Sequence, residues 1–148
     1  MRPDRDRTAL GGRSPALAAA LAAALALALL AGCATAEKDK RQIALQATVS
    51  GYESAIRWGY FDTAFGFLHP DLRKGKTLPD SFKDLRLTGY DPIQPPLIQE
   101  DDTATQVVVI DYLYEDRQVV KQLTDRQVWA WDPELKSWWL KSGLPAFK

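Results

Sequence analysis

From Pro15 to Ala31 the chain is almost entirely alanine and leucine, with no charge and no polar side. A helix of that composition has nothing to turn toward water, which argues against a place in a small soluble core. About 15 apolar residues also fall short of the ~20 that a membrane-spanning helix normally needs, so an uncleaved anchor is the weaker alternative. Arg2, Arg5, Arg7 and Arg13 outnumber Asp4 and Asp6 just before the run, which ends in small residues. That order is the n-region, h-region and cleavage zone of a secretory signal. Asp6 separates Arg5 from Arg7, so there is no twin-arginine pair and the general secretory route is expected. The chain therefore divides into a leader (residues 1–32), a short polar tether (33–41, with ATAEKDKR after its first residue) and one domain (42–148).

Leu30-Ala31-Gly32-Cys33, at the end of the apolar run, resembles the lipobox of bacterial lipoproteins. The resemblance implies that Leu30, Ala31 and Gly32 are read as a signal. It also implies cleavage before Cys33, a diacylglycerol on its thiol and an acyl group such as palmitate on the new amino terminus. Each buried methylene contributes about 0.8 kcal/mol, so one chain holds marginally and two or more anchor stably. In Gram-negative lipoproteins an Asp after the cysteine retains the protein in the inner membrane. Residue 34 is Ala, which implies the outer membrane, periplasmic face. Cys33 is the only cysteine, so no disulfide can form within the chain.

Four of the 19 basic and two of the 19 acidic residues lie in the leader, leaving 15 against 17, about −2, after cleavage. Nearly balanced charge with no basic stripe speaks against nucleic-acid binding. The remaining length suits one small core.

Leu45, Val49, Tyr52 and Ile56 follow one another at steps of four, three and four, which predicts an amphipathic helix from about Lys40 to Trp58, closed by Gly59. Phe61, Ala64, Phe65 and Leu68 restart the period in a shorter helix ending before Pro70. Residues 71–84 are a polar connection with one helical turn after Pro79. Leu85 to Tyr90 alternates as a strand, and Pro92, Pro95 and Pro96 mark an edge strand or bend. Thr103 to Tyr114 and Val119 to Trp131 are β-rich runs, and Ser137 to Ser142 is a shorter last strand after Asp132-Pro133. Helices followed by about four strands predict an α+β fold, with N-terminal helices packed on a curved antiparallel sheet.

Ala55-Ile56-Arg57-Trp58-Gly59-Tyr60-Phe61-Asp62 is similar to the helix break of NTF2-like proteins, and Trp131 with Trp138-Trp139-Leu140 to their closing strands. The resemblance covers most of residues 40–145 and implies a cone formed by a sheet curled around a helix. A cystatin-like sheet over one helix is the alternative. NTF2-like proteins include enzymes, ligand binders and adaptors, so the fold alone does not fix a function.

His69 is the only histidine, so no multi-histidine or cysteine-histidine metal site can form within one chain, and no cofactor is expected. His69-Pro70-Asp71 spells the tripeptide of J-domain cochaperones, where it follows a basic helix. Here Phe61 to Leu68 is short and carries only Asp62, so Pro70 is expected to end a helix with His69 near its C-terminal dipole. Ser50, Ser54, Ser81, Ser137 and Ser142 lack the Gly-x-Ser-x-Gly setting of a hydrolase nucleophile. No catalytic residue is assigned.

A four-residue loop at Glu115-Asp116-Arg117-Gln118 would set Tyr114 opposite Val119, Ile110 opposite Leu123 and Val108 opposite Asp125. Asp125 and Gln127 would then face inward with Val108, Ile110, Tyr112, Leu123 and Trp129. A carboxylate there either pairs with a cation such as Arg57 or Lys121, or has a raised pKa. Trp129, Trp131, Trp138 and Trp139 either stabilise the last hairpin or present aromatic surface to a partner. The leading expectation is a non-enzymatic envelope module, held to the membrane through its lipid and binding an envelope protein. Next comes a small apolar ligand in a pocket lined by Tyr112, Asp125 and Trp129, and third an isomerase or dehydratase with Asp125 as its only candidate.

Overall fold

The computed structural model describes residues 15–148, with side chains from residue 35 onward besides Ala16, Ala19 and Ala20. The basic n-region and the side chains of Leu30, Ala31, Gly32 and Cys33 lie outside the described residues. Helix α1 (Pro15–Arg57) is followed by two short helices, α2 (Phe61–Gly66) and α3 (Pro70–Arg73), and a 3-10 turn (Asp80–Phe82). Four strands complete the chain: β1 (Leu85–Ile98), β2 (Thr103–Tyr114), β3 (Lys121–Asp132) and β4 (Ser137–Leu140). The expected tether is thus helical, as part of α1. The chain separates into two compact units, Met1–Asp39 and Lys40–Lys148. All four strands and the buried core belong to the second unit.

Leu45, Val49, Tyr52 and Ile56 are all buried, as their spacing demands. The helix ends in a Schellman motif: Tyr60 N–H bonds to Ala55 C=O at 2.8 Å and Gly59 N–H to Ile56 C=O at 3.2 Å. Gly59 has φ +74°, which glycine adopts without a Cβ clash. Pro70 starts α3 rather than ending α2, because a missing N–H costs nothing in a first turn. His69 caps that helix, its Nδ1 accepting from Asp71 N–H at 3.3 Å. The expected C-terminal dipole position for His69 is therefore corrected to an N-terminal one.

The sheet is antiparallel in the order β1-β2-β3-β4, and with α1 it makes an α+β fold. The strand β2 has the bounds its composition predicts, and Ile110 faces Leu123 and Val108 faces Asp125 as expected. The connection after β2 is longer than four residues: Tyr114 pairs with Leu85 on β1, and pairing with β3 begins at Tyr112 opposite Lys121. Gln118, at φ +50°, turns this loop, and its N–H bonds back to Tyr114 C=O at 2.9 Å. β1 continues through Pro92, Pro95 and Pro96, with register shifts around these positions. As an edge strand it has no second neighbour to which those residues would donate. β4 lies at the opposite edge, where residues 67–69 cover it: His69 N–H reaches Leu140 C=O and Leu140 N–H reaches Phe67 C=O, both at 2.9 Å.

The start of the unit is pinned by the tryptophan hairpin. Trp138 Nε1–H donates to Arg41 C=O at 3.0 Å, and the Arg41 guanidinium lies 5.4 Å from the Trp131 ring centre while pairing with Asp102. Trp131 and Trp138 face each other across the strands at 5.5 Å, and Trp139 packs under the Arg73 guanidinium. These rings are held by internal partners, which explains the aromatic wealth of the hairpin.

Candidate functional site

The inner face of the sheet carries polar residues where a small core would ordinarily be apolar. Gln106 lies opposite Gln127, and Val108 opposite Asp125. Side chains alternate along a strand, so Gln106 shares its face with Val108 and Ile110, and Gln127 with Asp125 and Trp129. Tyr90 of β1 and Tyr52 of α1 join them, and all six polar or aromatic residues are buried. The Tyr52 ring meets Trp129 edge to face at 5.4 Å.

Gln127 organises the cluster. Its Nε2 donates to Tyr90 Oη and to Asp125 Oδ2, each at 2.9 Å, so both amide hydrogens are used. Four buried polar atoms of this cluster have no protein partner: Tyr52 Oη, Gln106 Oε1, Gln127 Oε1 and Trp129 Nε1. Each orphaned group costs about 1–3 kcal/mol in desolvation, so the arrangement is expensive for packing alone. The expected cations are engaged elsewhere. Arg57 bonds to Glu53 at 3.3 Å, and Lys121 Nζ donates to Lys148 C=O at 2.8 Å. The ion-paired reading of Asp125 is corrected accordingly: among the described residues its side chain is bonded by Gln127 and by no cation.

Burial raises the Asp125 pKa above the ordinary carboxylate value, and the Gln127 hydrogen bond offsets part of that rise. Burial likewise pushes Tyr90 upward, against the Gln127 bond, with Asp125 and Glu53 adding to the rise. Tyr52 is raised well above its ordinary value by burial first, then by Asp125 and Tyr90. All three are driven toward the neutral form.

The three predicted pocket residues share the inner face at separate levels: Tyr112 is opposite Lys121, Asp125 opposite Val108 and Trp129 opposite Ala104. Tyr112 packs against Phe147 at 4.9 Å, apart from the other two in register, and its hydroxyl donates to Lys148 C=O. Tyr52, Tyr90, Gln106 and Gln127 are the neighbours of Asp125 that matter. Tyr52 was legible as a core-facing helix position, and Gln106 by its parity with Val108. Among the described residues no group of three or more His, Cys, Asp or Glu is placed to hold a metal ion. No family model, curated protein or solved structure matches this chain.

Proposed function

We propose that this chain is the precursor of a lipoprotein anchored through Cys33 to the outer membrane, facing the periplasm, whose α+β domain is a binding module of the envelope rather than an enzyme. The observation that carries this reading is Leu30-Ala31-Gly32-Cys33 at the end of the apolar run, with a compact unit beginning at Lys40. Cleavage before Cys33 would leave the acylated residue a few positions from a domain with its own core. The NTF2-like reading of the domain belongs to the same proposal and is supported by the helix break at Gly59 and the order of helices before four strands. Its test is Cys33→Ser in cells fed labelled palmitate. The variant is expected to stay unprocessed and unlabelled; label entering it at the wild-type level would refute the anchor.

The orphaned atoms around Gln127 favour a second reading, a small ligand bound against the cluster. Two donors, Tyr52 Oη–H and Trp129 Nε1–H, and two carbonyl acceptors suit an uncharged molecule with hydrogen-bonding groups better than the purely apolar ligand expected from sequence. Asp125→Asn is expected to change what co-purifies with the folded protein, as read by mass spectrometry. An identical small-molecule profile would refute this reading.

A further inference from the structure

We infer a separate site that takes the hydrocarbon chain of a free fatty acid, in a surface cleft that none of the residues around Gln127 lines. The cleft, about 400 Å³, opens between the α2–α3 segment and the last residues of the chain. Its floor is the buried trio Leu68, Phe82 and Phe147, and its walls include Phe65, Leu72 and Leu144. Phe82 meets Phe61 at 5.1 Å and Phe147 at 5.2 Å, both edge to face, so the floor is held by fixed rings. The volume is near the lower end for small-molecule sites, which suits one chain rather than the two of a phospholipid.

Charge selects the head group. Lys76 is the only ionisable residue lining the cleft, and Lys74 lies beside it across Gly75, whose φ of +68° turns the chain. Asp80, between the lining residues Pro79 and Ser81, is already engaged, holding Lys83 at 2.8 Å. Among the described residues Lys76 has no ion-pair partner, so a carboxylate at the rim would meet a cation with no internal competitor. An apolar trough with one cation at its lip fits an anionic single-chain amphiphile. The site does not depend on acylation of Cys33.

The test uses the full-length chain in phosphatidylcholine nanodiscs, with dodecanoic acid bearing a terminal diazirine as the photoreactive probe. Adducts are expected on peptides covering residues 65–82 and 143–147, displaced by unlabelled dodecanoate more strongly than by its uncharged methyl ester. Leu72→Gln should remove most of the label. Lys76→Glu, at an exposed position that leaves folding intact, should weaken displacement by the acid about twofold to fivefold, the range for an exposed ion pair, and leave the ester unchanged. Adducts scattered outside the cleft would overturn the site. Equal displacement by acid and ester, unaffected by Lys76→Glu, would overturn the fatty-acid assignment. Absence of adducts in the cleft together with a dimeric mass by analytical ultracentrifugation would make the occupant a second copy and overturn it as well.

Discussion

Tyr52 and Tyr90 are both buried tyrosines near Asp125, yet removing their hydroxyls should change stability in opposite directions. Tyr52 Oη has no protein partner, whereas Tyr90 Oη accepts from Gln127 Nε2 at 2.9 Å. A buried unsatisfied hydroxyl costs about 1–3 kcal/mol, and Phe keeps the ring that meets Trp129 and Phe67 edge to face. Tyr52→Phe should therefore stabilise the domain by about 1–2 kcal/mol, allowing for some relaxation in the native state. Tyr90→Phe strands one Gln127 amide hydrogen and should destabilise by about 1 kcal/mol or more. For a domain of this size, each kcal/mol moves the melting temperature by roughly 4–8 °C. Urea unfolding of the two variants beside wild type, followed by tryptophan fluorescence, gives the free energies. A Tyr52→Phe variant less stable than wild type by about 1 kcal/mol or more would mean that the hydroxyl is satisfied in solution, and the account of the cluster as under-bonded would fail.

The remaining predictions concern charge and the pinned start of the domain. Because burial raises the Asp125 pKa above its unfolded value, its contribution to stability is fully present below the unfolded pKa and is lost as pH rises through the folded one. Asp125→Asn keeps an acceptor for Gln127 without that loss, so its stability relative to wild type should increase as pH rises above about 4, the unfolded carboxylate value; a difference independent of pH refutes the assignment. Trp138→Phe deletes the hydrogen bond to Arg41 C=O and part of a buried ring, and should cost about 2–4 kcal/mol. Amide exchange at residues 40–45 should quicken in the same variant, and unchanged protection there would show that the hairpin does not hold the helix.

The sequence disclosed what depends on periodicity. Steps of four, three and four gave the buried face of α1, and period-two alternation set the β2–β3 register despite a loop longer than expected, because the inner face tolerates no slip by one residue. Features that depend on what stands opposite in space were not legible. Nothing in the order of residues reveals that Arg57 turns to Glu53 and leaves Asp125 to Gln127. Proline is a poor strand residue on average, so the full length of β1 was hidden until its outer edge proved free of a neighbour. Short α3 was missed because Pro70 reads equally as a stop or a first turn, and the choice falls to the cap that His69 supplies.

Arg41, fastened to Asp102, Trp131 and Trp138, sets the length of the leash. It lies eight residue steps from Cys33, a reach of under about 30 Å fully extended and about 12 Å if helical. With Cys33 acylated as proposed, so short a leash would hold the domain beside the bilayer surface.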